Sequence, residues 1–227
     1  MWIKEIEISK IRKDGRWKVE LFTDILEKKS SVYNMVRIGE IVNERKENVK
    51  PSLFKNREFN YIGLENIVPM TGEITSFKPK KGEEIKSVSK IFAANDILYG
   101  KLRPNLNKVY LADKSNLLSE GICSSEFHVL IPDTKKVLPN YLRSILSSKY
   151  IQNYVYYMQT GSALPRLSLK DLYQIEIPLP PLSVQHELEN KLKLQIDRIK
   201  DLREELNLLP KNMLIELEEV TEKGLLI

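Results

Sequence analysis

The sequence predicts an α+β protein: a globular head with a mixed β-sheet over residues 1–182, then a long coiled-coil-type helix over residues 183–227. Three observations carry that reading. Four segments between residues 59 and 132 are rich in β-branched and aromatic residues and are bounded by Gly, Pro or Asn. Apolar residues return at helical spacing after Pro139. The run IPLPPLSVQ (177–185) then stops a strand and opens a heptad pattern.

Taken in order, RWKVELFTDILEKKS (16–30) places Val19, Phe22, Ile25 and Leu26 on one helical face. The strand segments are FNYIGLENIV (59–68), SKIFAANDILYG (89–100), NKVYLA (107–112) and GICSSEFHVLIP (121–132). Between the first two lies TGEITSFKPKKGEEIKS (71–87), a polar, lysine-rich excursion. Leu142, Ile145 and Leu146, then Ile151, Tyr154, Val155 and Met158, make one or two helices ending near Gly161. LYQIEIP (172–178) reads as a short strand.

Pro178, Pro180 and Pro181 enforce extended backbone, and Ser183 is the expected N-cap of the last helix. Counting from Leu188, its seam positions are 188, 192, 195, 199, 202, 206, 209, 213, 216 and 220, of which eight are apolar. Alternating spacings of three and four make a narrow stripe that suits a partner helix rather than a broad core. Leu188, Leu192, Ile199, Leu202, Leu206 and Leu209 are the candidate dimerisation residues. Pro210 lacks the N–H a helix interior needs, so the rod is expected to bend or restart there.

Charge separates the two parts. Residues 183–227 hold seven Lys/Arg against ten Asp/Glu, whereas residues 1–182 hold 29 against 21. A basic head suggests a polyanion partner, and a mildly acidic rod suggests a protein partner; the alternative is that the lysines only solvate the surface. No apolar run approaches the ~20 residues of a membrane span, and the N-terminus has no apolar signal-like stretch. A single cysteine, Cys123, excludes an internal disulfide and fits a reducing cytoplasm.

No catalytic constellation is expected. His128 and His186 are far apart in sequence and read as structural, and one cysteine with two histidines makes no zinc site. There is no Walker loop and no GxGxxG. LPPL (179–182) lacks the polar and aromatic neighbours of an adenine-methyltransferase motif. Metal ligands and a cofactor are therefore not expected in this chain.

Five motifs nevertheless converge: YIGLENI (61–67), LYGKLRPNLNKVYLA (98–112), GICSSEFHVL (121–130), TGSALPRLSLKDL (160–172) and IPLPPLSVQ (177–185). In this order and spacing the chain resembles the specificity subunit of type I restriction-modification systems, across roughly residues 35–209. The resemblance implies a target recognition domain followed by a helix that dimerises and sets spacing. A full-length subunit carries two such units, each reading half of a split DNA site, with the two long helices paired antiparallel as a ruler. Modification subunits dock on this assembly and methylate adenine with S-adenosylmethionine; restriction subunits add ATP- and magnesium-dependent cleavage. The present chain carries one unit, so the resemblance implies a half subunit that dimerises. Two further readings stay open: a regulatory or decoy half subunit acting through its helix, and the recognition part of a fused restriction-methyltransferase system outside type I.

On that reading, the turn after Gly100 offers Lys101, Arg103, Asn105, Asn107 and Lys108 to DNA, since Arg and Lys suit phosphates and guanine edges and Asn suits adenine. The same turn could instead brace the domain from within. The excursion at 71–87, with Lys78, Lys80 and Lys81, is the candidate sequence-reading loop; the plainer alternative is a solvated loop. Arg166 in TGSALPRLS is either a backbone contact or part of a structural turn. Tyr154 falls on the apolar helix face and reads as core.

Overall fold

The computed structural model describes residues 32–75, 77–114, 118–158 and 163–222. The expected helix over 16–30 and residues 160–162 of TGSALPRLS lie outside these. The chain divides into two compact units, one running through Gln185 and one beginning at His186.

The first unit is built around a four-stranded antiparallel sheet. Its strands are β2 (Val42–Glu44), β8 (Ile97–Gly100), β9 (Val109–Leu111) and β11 (Phe127–Pro132), in the order β2-β11-β8-β9. Side chains alternate across a strand, and here both faces are covered. Ile97, Tyr99, Val109, Leu111 and Leu130 pack with Tyr141, Leu142 and Leu146 of α1 (Pro139–Leu146), Ile151 and Val155 of α2 (Lys149–Met158), and Leu172 of α3 (Leu169–Gln174). Leu98, Tyr110, Phe127 and Val129 face the other way and pack with Ile62, Phe92 and Cys123. This is why β8 reads as an unbroken apolar run rather than an alternating one.

Ile62, Phe92 and Cys123 belong to a second, mixed sheet in the order β3-β7-β10-β5. It comprises β3 (Asn48–Val49), β5 (Tyr61–Ile62), β7 (Ser89–Phe92) and β10 (Gly121–Ser124), with β10 parallel to β5 and the other pairs antiparallel. Its second face carries Phe59, Ile85 and Ile122, with Val49, Tyr61 and Ile91 packed around them. Phe59 arrives there on a two-strand ribbon, β4 (Glu58–Phe59) against β6 (Lys80–Lys81). A last pair joins β1 (Met35–Arg37) to β12 (Glu176–Pro178).

Several expected elements divide further than the sequence suggests. The segments 89–100 and 121–132 each become two strands, one for each four-stranded sheet. The first division is made by a turn in which Asn95 adopts φ +71° and the Asp96 carboxylate accepts the Ala93 N–H at 2.8 Å. Asp96 is buried and also holds Arg45, at 2.6 Å from Nε and 3.2 Å from Nη2. In 59–68 only short strands form before a 3-10 turn at Leu64–Asn66. In 172–178 the first residues finish α3 and only Glu176–Pro178 is strand.

The last helix, α4 (Leu182–Glu222), starts one residue before Ser183, so Ser183 is not its N-cap. The Pro181 carbonyl accepts the N–H groups of Val184 and Gln185, both at 3.0 Å. The buried Gln185 side chain anchors this start: its Oε1 accepts Leu138 N–H at 2.8 Å, and its Nε2 donates to Pro180 O at 2.8 Å and Lys136 O at 3.0 Å. Of the two outcomes expected at Pro210, a bend or a restart, the restart does not occur: the helix runs through it. A proline removes one intrahelical bond and crowds one carbonyl, a cost of ~3 kcal/mol. The chain is helical on both sides of that one defect. No helix among the described residues is long and apolar enough to cross a membrane.

Candidate nucleic-acid interface

The β4–β6 ribbon gathers cations from two stretches that are far apart in sequence. Glu58 pairs with Lys81, and Phe59 with Lys80. A 3-10 turn at Pro51–Leu53 precedes β4, and another at Gly82–Glu84 follows β6. Backbone bonds lock the two together: Gly82 N–H to Arg57 O at 2.9 Å, and Glu83 N–H to Lys55 O at 3.2 Å. A Cβ at Gly82 would run into the carbonyl oxygens of Phe54 and Pro51, so only glycine allows this approach. Lys50, Lys55, Arg57, Lys78, Lys81 and Lys86 are exposed around the pair of turns. Lys80 is half-buried, with Nζ 4.8 Å above the Tyr61 ring and 3.9 Å from Glu65. Arg57 lies 5.0 Å over the Phe59 ring. The candidates Lys78, Lys80 and Lys81 therefore come together, joined by Lys50, Lys55 and Arg57, which sequence reasoning missed. Their lysine-rich composition was visible, but the pairing across the intervening strands was not.

The turn after β8 is organised differently. Lys101 donates its N–H to Glu126 O at 2.9 Å and accepts from Leu167 N–H at 3.0 Å. Arg103 takes a left-handed conformation (φ 46°), directs its N–H to Pro165 O at 2.7 Å, and opens a 3-10 turn over Pro104–Leu106. Asn107 is also left-handed (φ 51°); it is buried and donates from Nδ2 to Ser147 O at 2.7 Å. Lys108 Nζ donates to Leu64 O at 2.7 Å. Arg166 forms a two-pronged pair with Glu126, at 2.9 and 3.1 Å, which holds the Glu126 carboxyl below its ordinary pKa. Arg103 and Asn105 are exposed and Lys101 is partly so. Of these six candidates, Asn107, Lys108 and Arg166 have side chains engaged within the fold.

Beneath the turn, Arg143 of α1 is almost wholly buried. Its Nη2 donates to Met70 O at 2.8 Å, and burial lowers its pKa to about 10, still charged at neutral pH. It fixes a tight reversal in which Met70 (φ 66°) and Gly72 (φ 68°) are both left-handed. A Cβ at Gly72 would strike the Val109 carbonyl and the Arg143 guanidinium.

Cys123 and His128 are enclosed, whereas His186 is exposed on the last helix. Burial pushes the Cys123 thiol up to about 12, which leaves it protonated and unreactive. His128 donates from Nε2 to Leu167 O at 2.9 Å, with Nδ1 3.3 Å from Glu44. Tyr154 is partly buried against the helical core, as expected. In the second unit, Leu188, Leu192, Ile199, Leu202, Leu206 and Leu209 are 36–65% exposed. Val220 of the seam lies beyond the last described side chain.

The family model described as the type I restriction modification DNA specificity domain matches residues 19–208. The chain belongs to that family. This specificity domain is 25% identical to the type I restriction enzyme EcoDI specificity subunit of Escherichia coli over 133 residues, 59% of this chain and 28% of that subunit. It superposes on the HsdS subunit of Thermoanaerobacter tengcongensis with a TM-score of 0.66 at 26% identity, covering 86% of this chain and 49% of HsdS. The S subunit of M. genitalium, 18% identical with a TM-score of 0.52, shares the fold; the match covers 82% of this chain and 45% of that one. The chain thus spans about half the length of these solved subunits and less of the EcoDI subunit. The family description places DNA specificity within type I restriction modification.

Proposed function

We propose that this specificity domain reads one half of a bipartite DNA site for a cytoplasmic type I restriction-modification complex and docks its modification subunits. Catalysis then rests with partners: adenine methylation from S-adenosylmethionine by the modification subunits, and ATP- and magnesium-dependent cleavage by restriction subunits. The observation that carries the reading is the braced cationic ribbon on a specificity-domain fold, with Lys78, Lys80 and Lys81 beside Lys50, Lys55 and Arg57. Several accessible cations on one surface are what phosphate binding needs. Lys101, Arg103 and Asn105 add a second DNA-facing strip, which Asn107, Lys108 and Arg166 hold in shape.

The seam of α4 is the proposed route to a second recognition unit. Six exposed apolar side chains at heptad spacing favour a partner helix, each burial being worth about 1.5–3 kcal/mol. With a second copy of this chain as partner, antiparallel pairing presents two identical readers to opposite strands, and the site is an interrupted palindrome. Methylome sequencing of a host supplying only this chain and a modification subunit tests the reading, with light scattering on Ile199→Glu/Leu206→Glu beside the wild type. A palindromic methylated motif and a wild-type dimer dispersed by the substitutions are expected. An asymmetric motif refutes self-pairing, and methylation indifferent to sequence refutes recognition.

A further inference from the structure

We propose that Leu53 and Phe54 form an apolar wedge that partly unstacks one base step of duplex DNA, seated among phosphate-binding cations. The inference rests on the DNA-recognition reading above and names the residues that meet the bases. Leu53 is 71% exposed and Phe54 is 48% exposed, side by side on the turn before β4. Single exposed apolar residues are ordinary on a protein surface, so exposure alone argues little. Three further features distinguish this pair.

The first is rigidity. Leu53 N–H bonds to Lys50 O at 3.1 Å, Phe54 N–H to Pro51 O at 2.8 Å and Arg57 N–H to Phe54 O at 3.0 Å. The Phe54 ring meets the edge of Phe59 at 6.5 Å, and Phe59 belongs to the buried cluster with Ile85 and Ile122. The pair is therefore held out by the core, as a wedge that must resist base stacking requires. The second feature is the chemistry around it. Lys50, Lys55, Lys78 and Lys81 are exposed, and among the described residues none of the four forms an ion pair with a carboxylate. The cores of protein–protein interfaces are depleted of lysine, whereas duplex DNA presents phosphates on either side of flat apolar bases. Apolar residues flanked by free lysines fit the second partner; Leu and Phe are among the side chains that part base steps. The third feature is position. Backbone bonds from the Gly82–Glu84 turn reach Arg57 and Lys55, so the wedge and the lysine-rich 78–86 stretch move as one body.

The test uses the full chain with its modification subunit. The probe is a 40-base-pair duplex selected from a pool with a randomised centre, then resynthesised with 2-aminopurine at each position in turn. Wild type is expected to raise 2-aminopurine fluorescence at one step of each half-site. Leu53→Ala/Phe54→Ala should abolish that rise and weaken binding roughly 10-fold or more, while keeping the salt dependence. Leu53→Ala alone, which leaves the Phe54–Phe59 contact intact, should reduce the rise by itself. Lys55→Gln/Lys78→Gln/Lys81→Gln should instead flatten the slope of log K against log salt by about 0.9 per lost phosphate contact. A wild type with no rise at any position, or wedge variants that match it, overturns the wedge and leaves recognition standing. If the lysine variants also keep the wild-type slope, this face does not meet DNA at all, and the underlying reading of the ribbon fails with it.

Discussion

Lys108 and Lys81 look alike in the sequence, each in a basic stretch at a short strand, yet the fold uses them in opposite ways. Lys108 extends its ammonium 2.7 Å from the Leu64 carbonyl and ties the turn after β8 to the loop before it. Lys81 contributes its backbone, pairing with Glu58 and donating its N–H to the Glu84 carboxylate at 2.6 Å, and leaves its side chain in solvent. Around Lys108 the neighbours are similarly occupied: Asn107 on Ser147, Arg166 on Glu126, Arg143 on Met70. Around Lys81 the bracing is done by the backbone and Gly82, which frees the cations. A basic stretch thus becomes a binding surface only where something other than its charges holds it together. The contrast can be broken by mutation, because the braced turn should register in stability and the ribbon in DNA binding.

The largest effect is expected at Arg143. Replacing it by Met keeps the aliphatic stem but removes a charged donor from the Met70 carbonyl, beside a left-handed turn. A charge-assisted bond of this kind is worth ~1.5–3 kcal/mol. Chemical denaturation should show a loss within that range. DNA binding should fall in parallel, because the 71–87 excursion starts from this turn. A variant as stable as wild type would mean that the reversal holds without its clamp.

The next effect separates the two regions directly. Lys108→Met should cost about 1–2 kcal/mol, discounted because the lysine is only partly buried. Its salt dependence of DNA binding should stay unchanged. Lys55→Gln/Lys78→Gln/Lys81→Gln should change stability by less than ~0.5 kcal/mol per site, as expected for surface positions, while flattening that dependence. Reversed outcomes would exchange the roles assigned to the two stretches.

This comparison also marks what was legible in the sequence. The strand segments, the helices after Pro139 and the long last helix could be read because each depends on local periodicity or on proline and glycine. The number of sheets could not. β8 is covered on both faces, so ILYG shows no alternation to reveal which side meets which neighbour. The ribbon's full cation set was hidden for a related reason. Lys55 and Arg57 join Lys80 and Lys81 only through the β4–β6 pairing and the glycine contact, both non-local. Arg143 and Gln185 carried no signal at all, because a buried polar residue is defined by carbonyls that the fold brings to it. Pro210 limits a local rule in the other direction: the proline does not end the helix, which continues on either side of it.

The smallest effect is a pH dependence confined to the braced side. His128 Nε2 faces the Leu167 carbonyl, which can only accept, so that nitrogen carries a proton. Burial is the largest influence and sets the His128 pKa below its ordinary 6.5, against the opposing pull of Leu167 O and Glu44; Lys90 lowers it further. A depressed histidine pKa means that the unfolded chain binds the proton more readily than the folded one. The stability contributed by neutral His128 is therefore complete above about pH 6.5 and is lost as pH falls from there through the folded value. The slope contributed cannot exceed ~1.4 kcal/mol per pH unit for a single proton. Glu44 and Glu126, whose pKa values are lowered, add their own losses only further into the acid range, below about 4.5. Leu167 donates its N–H to Lys101 O, so the weakening acts on the turn after β8, whereas residues 50–86 contain no histidine. Denaturation between pH 7 and 5.5 should show falling stability in wild type and a flatter profile in His128→Gln, whose amide can still donate to Leu167. Parallel profiles in the two proteins would place the acid sensitivity elsewhere and remove this distinction between the regions.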